Sequence, residues 1–208
     1  MSGGAERRRP PVVGVLALQG DVDEHIAAFE GLDVETARVK TLEQLGEVDG
    51  LVIPGGESTT VIRLLDRFAL AEPLVARVHA GMPLWGTCMG MIVAAAGVAD
   101  LEQRTLGLID ITVRRNAFGR QLASEEVPLA IPALGPGDFR AIFIRAPWIE
   151  RAGVGVEVLA SHGGHGVFVR EGNVMGTSFH PELTNDSRVH GYFLEMIATA
   201  RRAEVARA

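Results

Sequence analysis

Short runs of β-branched residues alternate with segments of helical periodicity through the first half of the chain, and this alternation argues for a parallel sheet with helices on its faces. The spacing predicts a first strand over Val12 to Leu18, a short helix over Glu24 to Glu30 ended by Gly31, and strands at Val34 to Val39 and Leu51 to Ile53. Pro54-Gly55-Gly56 stops the last of these. Thr59 to Ala80 carries Val61, Leu64, Leu65 and Phe68 at helical spacing, with a break expected at Pro73. Pro83 to Gly86 then reads as a buried strand, and Met89 to Ala96 as a helix. The second half is richer in strands, predicted at Leu108 to Val113, Phe139 to Ile144, Glu157 to Ala160, Gly166 to Val169 and Val174 to Thr177. Ser187 to Arg202 closes the chain as a helix with Val189, Phe193, Met196 and Ile197 on one stripe. No internal repeat interrupts this order. The fold class is α/β, with three layers built on a mostly parallel central sheet.

At 208 residues the chain suits a single domain, and a hydrophobic content of 47% against 22% charged supplies enough apolar material for a sizeable core. The expected division is a flexible basic tail over residues 1–11, holding Arg7, Arg8 and Arg9, and one domain over residues 12–208. A net charge of -6 leaves no electrostatic footprint for nucleic acid. The longest apolar run, Met89 to Ala99, falls short of the ~20 residues of a membrane helix. Val12 to Leu18 runs straight into Gln19, Asp21, Asp23 and Glu24, unlike a secretory signal. A cytoplasmic protein is expected, and a lone cysteine that can form no internal disulfide fits a reducing compartment.

That cysteine has unusual neighbours. In Leu84-Trp85-Gly86-Thr87-Cys88-Met89-Gly90, glycines stand two residues before and two after it, the pattern of a nucleophile elbow with cysteine in place of serine. A tight strand-to-helix turn leaves no room for side chains at those positions. The first backbone N–H groups of the following helix carry partial positive charge, which favours a thiolate over a thiol. A thiolate that attacks an amide needs N–H donors for the oxyanion and a base that later protonates the leaving ammonia. Met89 offers one N–H by the geometry of the elbow, and the Gly55-Gly56 turn offers another. Of the six histidines, His180 stands out in Phe179-His180-Pro181-Glu182, where an extended segment would set Glu182 on the same side as the ring and let it orient the base. Cys88, His180 and Glu182 thus form a catalytic order along the chain. His162-Gly163-Gly164-His165 lacks a nearby cysteine or acidic ligand and reads as a hairpin tip, so no metal is expected.

With these residues in place, the chain resembles the class I glutamine amidotransferases, and within them the branch of glutaminase subunits of pyridoxal 5′-phosphate synthase. The resemblance runs from Val12 to Tyr192. It is carried by Leu16-Ala17-Leu18-Gln19-Gly20 with Glu24-His25, Ile53-Pro54-Gly55-Gly56-Glu57-Ser58-Thr59, Gly86-Thr87-Cys88, Arg115 to Gln121, Phe143-Ile144-Arg145-Ala146-Pro147 and Thr177 to Leu183. It implies hydrolysis of L-glutamine to glutamate and ammonia through a γ-glutamyl thioester on Cys88, with His180 as base and then acid and Glu182 holding His180. By the same likeness, Gly56, Glu57, Ser58, Arg115, Ile144 and Arg145 bind glutamine, and an arginine suits its α-carboxylate because the guanidinium fork pairs with both oxygens. Gly56 and Met89 supply the oxyanion hole. The implied partner is the barrel-shaped synthase (lyase) subunit, which receives the ammonia; no cofactor is implied. Gln19 and Glu24-His25 would lie towards that partner. Met89 departs from the pattern, because a smaller residue is usual beside the nucleophile.

Other readings stand beside this one. The chain could serve another amidotransferase, such as the glutaminase of histidine biosynthesis, and Arg115 to Gln121 with Leu16 to Gly20 speak for the vitamin B6 branch instead. A non-catalytic regulatory protein of the same fold is opposed by the intact Cys88, His180 and Glu182. A thiol hydrolase with another substrate is opposed by Gly56-Glu57-Ser58.

Overall fold

The computed structural model describes residues 9–99, 101–115 and 124–207. In chain order the strands are β1 (Val12–Leu16), β2 (Glu35–Val39), β3 (Gly50–Ile53), β4 (Leu84–Thr87), β5 (Ala95–Val98), β6 (Ile109–Arg114), β7 (Ser124–Leu129), β8 (Phe139–Ile144), β9 (Trp148–Ala152), β10 (Glu157–His162), β11 (His165–Glu171) and β12 (Val174–Thr177). The helices are α1 (Val22–Glu30), α2 (Leu42–Glu47), α3 (Ser58–Arg67), α4 (Ala71–His79), α5 (Met89–Ala94) and α6 (Arg188–Arg207). The main sheet runs β2-β1-β3-β4-β12-β11-β9-β6-β5, with β10 added to β11, while β7 and β8 form a separate antiparallel pair. From β2 to β12 neighbours are parallel; β11 and β9 then introduce antiparallel pairing.

Side chains alternate across the parallel strands, and both faces are covered. Leu51 and Ile53 of β3 and Leu84 of β4 face α3, α4 and α5, packing with Val61, Leu65, Leu74 and Ile92. Val13, Val52 and Trp85 face the other way, towards Phe29 of α1 and Val189 and Phe193 of α6. Full burial of such side chains contributes about 1.5–3 kcal/mol each. The loops that leave β1, β3, β4 and β12 at their carboxyl ends therefore emerge side by side from a packed base, the usual location of a site in a sheet of this kind.

Several expectations are corrected. The strand from Val12 stops at Leu16, because Ala17 to Gly20 turn towards α1. The break in the long helix comes at Phe68 to Leu70, where Ala69 takes a φ of 54°; Pro73 instead lies in the first turn of α4, where it has no intrahelical N–H bond to lose. Helix α5 ends at Ala94, since Ala95 to Val98 pair with β6 and tertiary pairing overrides the helical propensity of alanine. Helix α2 and strands β5, β7 and β9 were not anticipated. Arg9, assigned to a flexible tail, pairs with Asp49 at 2.9 Å, and its carbonyl accepts from Arg201. Arg7, Arg8 and residues 116–121 of the Arg115 to Gln121 block lie outside the described residues. The His162 to His165 turn is indeed a hairpin tip, with Gly163 and Gly164 at φ 58° and 82°. Among the described residues no helix is long and apolar enough to cross a membrane.

Candidate active site

Cys88 sits between β4 and α5 at φ 48° and ψ -110°, a conformation L-residues avoid and one typical of strain held at a functional turn. Its N–H donates to the Thr177 carbonyl at 2.7 Å, tying the turn to β12. The flanking glycines have the steric reason expected of them. A Cβ on Gly86 would lie 2.5 Å from the Gly90 carbonyl, and one on Gly90 would lie 2.0 Å from the Ile53 carbonyl. Either side chain would push the elbow out of place.

His180 and Glu182 follow β12. The His180 N–H donates to the Ile142 carbonyl of β8 at 2.8 Å, and Phe179 before it is fully buried. Nδ1 of His180 lies 2.7 Å from Oε1 of Glu182, so the expected pairing is present, but the local geometry differs from the extended segment anticipated. Pro181–Leu183 forms a 3₁₀ turn, with proline at its first position pre-set for the helical φ. The turn, rather than strand alternation, brings the carboxylate back to the ring.

Burial disfavours a charged His180, but hydrogen bonds with Asp21, Cys88 and Glu182 outweigh it, and its pKa is pushed up to about 12. Burial pushes the Glu182 carboxyl above the usual carboxylate range, against the pull of His180. Asp21, which begins α1, was not anticipated here; its Oδ2 lies 3.4 Å from the same Nδ1. Asp21, His180 and Glu182 place potential ligand atoms within 4.8 Å of one another.

These residues open on a cleft of about 400 Å³. Gly56, Glu57, Met89, Arg115, Ile144 and Arg145 all border it. The Ile144 carbonyl lies 3.7 Å from the Cys88 sulfur. Arg145 is exposed at φ 45°. Arg115 reaches Oε1 of Glu57 at 3.3 Å and Oε1 of Gln103 at 3.2 Å. Glu57 also caps α3, accepting from the Thr60 N–H at 2.8 Å, and its pKa falls to about 2 through hydrogen bonds led by Thr59. Ser58 differs from expectation: its side chain is fully buried and donates to Gln103 at 3.3 Å rather than bordering the cleft. Gln103 was missed because it lies in irregular chain with no motif around it.

The Gly55 carbonyl accepts from the Asp21 N–H at 3.2 Å, which fixes the Gly55–Gly56 peptide, and Oε1 of Gln19 accepts from the Glu57 N–H at 2.6 Å. Glu24 is exposed, whereas His25 is wholly buried. The loop histidines are engaged elsewhere, His162 against Phe143 and Glu125 and His165 stacked on Trp148 at 3.7 Å.

Comparison with known proteins agrees with this architecture. A solved glutamine amidotransferase superposes with a TM-score of 0.85 at 46% identity, covering 89% of this chain and 98% of that one. A putative GMP synthase subunit from Thermoplasma acidophilum, at 17% identity and a TM-score of 0.68 over 95% of this chain and 99% of its own, shares the fold. The fold is thus that of the class I glutamine amidotransferases. Residues 15–199 match the model of the SNO glutamine amidotransferase family, and the chain belongs to that family. It is 54% identical over 196 residues to pyridoxal 5′-phosphate synthase subunit PdxT of Streptomyces avermitilis, covering 93% of this chain and 98% of that protein. The protein of the same description in Thermotoga maritima is 52% identical over 185 residues, covering 89% and 98%.

Proposed function

We propose that this protein is the glutaminase subunit of a pyridoxal 5′-phosphate synthase, hydrolysing L-glutamine and passing the ammonia to a synthase subunit. The observation that carries the reading is Cys88 on its strained elbow sharing a cleft with His180, with Glu182 2.7 Å behind the ring. The sulfur attacks the side-chain amide carbon, and charge collects on the carbonyl oxygen, which takes the Met89 N–H and a donor from the Gly55–Gly56 turn. Protonated His180 gives its proton to the departing nitrogen, ammonia leaves, and a γ-glutamyl thioester remains. Water, deprotonated by His180, then opens the thioester and releases glutamate. Arg115 and Arg145 match the α-carboxylate, and Asp21 with Glu57 adds negative charge that suits an α-ammonium group.

Ammonia free in neutral water becomes mostly ammonium, which is no nucleophile, so direct transfer to an acceptor subunit is the useful arrangement. The identity to synthase subunits over nearly the whole chain supports that partner over other amidotransferase partners. The test is glutamate release from L-glutamine with and without a synthase subunit. Cys88→Ala should abolish release while leaving the circular dichroism spectrum unchanged, and an active Cys88→Ala enzyme would refute the mechanism.

A further inference from the structure

Behind Glu182 lies a buried group that the reaction above leaves unused. His25 projects from α1 into a cluster of rings with Trp85 and His190. Its Nε2 stands 3.1 Å from the Thr87 hydroxyl of β4 and 3.5 Å from Oε2 of Glu182. That oxygen is the one His180 does not use. It is buried and has no hydrogen-bond partner among the described residues. A carboxylate oxygen buried without a donor resists ionisation, so the group facing it bears on the whole triad.

The tautomer follows from the next contact. Nδ1 of His25 lies 3.4 Å from Nε2 of His190 on α6. If His190 donates through Nε2, His25 accepts at Nδ1 and carries its own proton on Nε2, towards Thr87 and Glu182. His190 Nδ1 is then a bare nitrogen, in keeping with its lack of a partner. The reverse assignment would bury an unsatisfied N–H on His190 and turn the His25 lone pair against the Glu182 carboxylate. Both rings stay neutral at physiological pH. Burial, with His190 and His180 nearby, holds the His25 pKa well below its ordinary value, and burial lowers that of His190 to about 4.

We propose that His25 is a positioning residue whose Nε2–H, shared with the Thr87 hydroxyl, faces Oε2 of Glu182 from behind at 3.5 Å and by its positive end keeps Oε1 turned to His180 and the carboxylate charged. The inference rests on the glutaminase reading. Asp21 faces His180 from another side at 3.4 Å, so losing His25 should weaken the triad without abolishing it.

The test uses the full-length protein with its synthase subunit, following kcat/KM for L-glutamine against pH. His25→Phe keeps a ring and removes the donor, whereas His25→Gln offers an amide N–H near the same place. His25→Phe should lower kcat/KM roughly 10- to 100-fold, the usual cost of losing a group that orients a reacting one. Its descending limb should move to lower pH by about one unit, because the His180 imidazolium loses carboxylate support. His25→Gln should recover most of both effects. Unchanged profiles in both variants overturn the proposal, as does an equal loss in both with an unshifted limb, which marks packing alone. If His25→Phe does not fold, His190→Phe carries the test by removing the donor that sets the His25 tautomer. The limb should then move in the same direction, and an unmoved limb overturns the proposal. No glutamate release by the wild type refutes the glutaminase reading and this inference together; an active wild type with indifferent variants refutes this inference alone.

Discussion

Replacing Gly55 by alanine should disable the site while sparing the fold. The new Cβ would lie 2.6 Å from Cε1 of His180 and 3.0 Å from Oδ2 of Asp21. Carbon atoms in ordinary contact stand about 3.5–4.0 Å apart, so the ring must retreat by about 1 Å. It cannot retreat freely, because its side chain is 6% exposed and held by Glu182 at 2.7 Å. A misplacement of about 1 Å costs on the order of 100-fold in rate, equivalent to about 2.7 kcal/mol of activation free energy. Gly55 has no positive φ, so alanine adds no backbone strain. Glutamate release with saturating L-glutamine should show kcat down about 100-fold, with the melting temperature lower by no more than about 4 °C. Gly46→Ala is the control. Gly46 lies in α2 with nothing within 4 Å of its would-be Cβ, and alanine there should stabilise by about 0.5–1 kcal/mol and leave kcat unchanged. A Gly55→Ala enzyme within a few-fold of wild type would show that the ring position seen here is not the working one.

Acid should destabilise the fold through His190. Its folded pKa of about 4 lies below the ordinary 6.5, so the unfolded chain takes up the proton first and stability is lost as pH falls from 6.5 towards 4. The loss from this group is about 2 kcal/mol by about pH 5. Thermal melts should therefore show a steeper pH dependence for wild type than for His190→Phe; parallel curves would mean that the ring is not buried neutral. Arg115→Lys replaces a fork that reaches both Glu57 and Gln103 with a point charge. It should raise KM for glutamine about tenfold and change kcat far less, the loss expected for a hydrogen bond to a charged group; an unchanged KM would place the carboxylate elsewhere.

The strands that could be read from sequence are those with both faces buried. β3, β4 and β12 consist entirely of buried residues, and runs such as Leu51 to Ile53 admit little else between turn signals. β7 and β9 were invisible for the opposite reason. Glu125 and Glu126 in one, and Glu150 and Arg151 in the other, make half-exposed pairs that resemble loop. Helix α2 did carry a signal, the capping box of Thr41 and Gln44, but its single buried residue, Leu45, gave no periodicity to attract notice.

The site divides along a similar line. Cys88, His180 and Glu182 are legible because each stands in a short motif whose residues constrain one another locally: glycines about the cysteine, proline between the histidine and the glutamate. Asp21, His25 and Gln103 are not, because their partners lie far along the chain. His25 meets Thr87 62 residues away and His190 165 residues away, and only the order of the sheet brings β1, β4 and β12 together at that point. A lone histidine in helix α1 has no local property that separates a surface residue from one buried against a carboxylate. The same crowding explains why the costs of this fold gather here. The positive φ of Cys88, the buried charge of Glu182 and the neutral His25 and His190 would each be unfavourable alone. They persist because each meets the next across strand ends already fixed by the apolar layers beneath, so the strain is held by the sheet and the polar groups by one another.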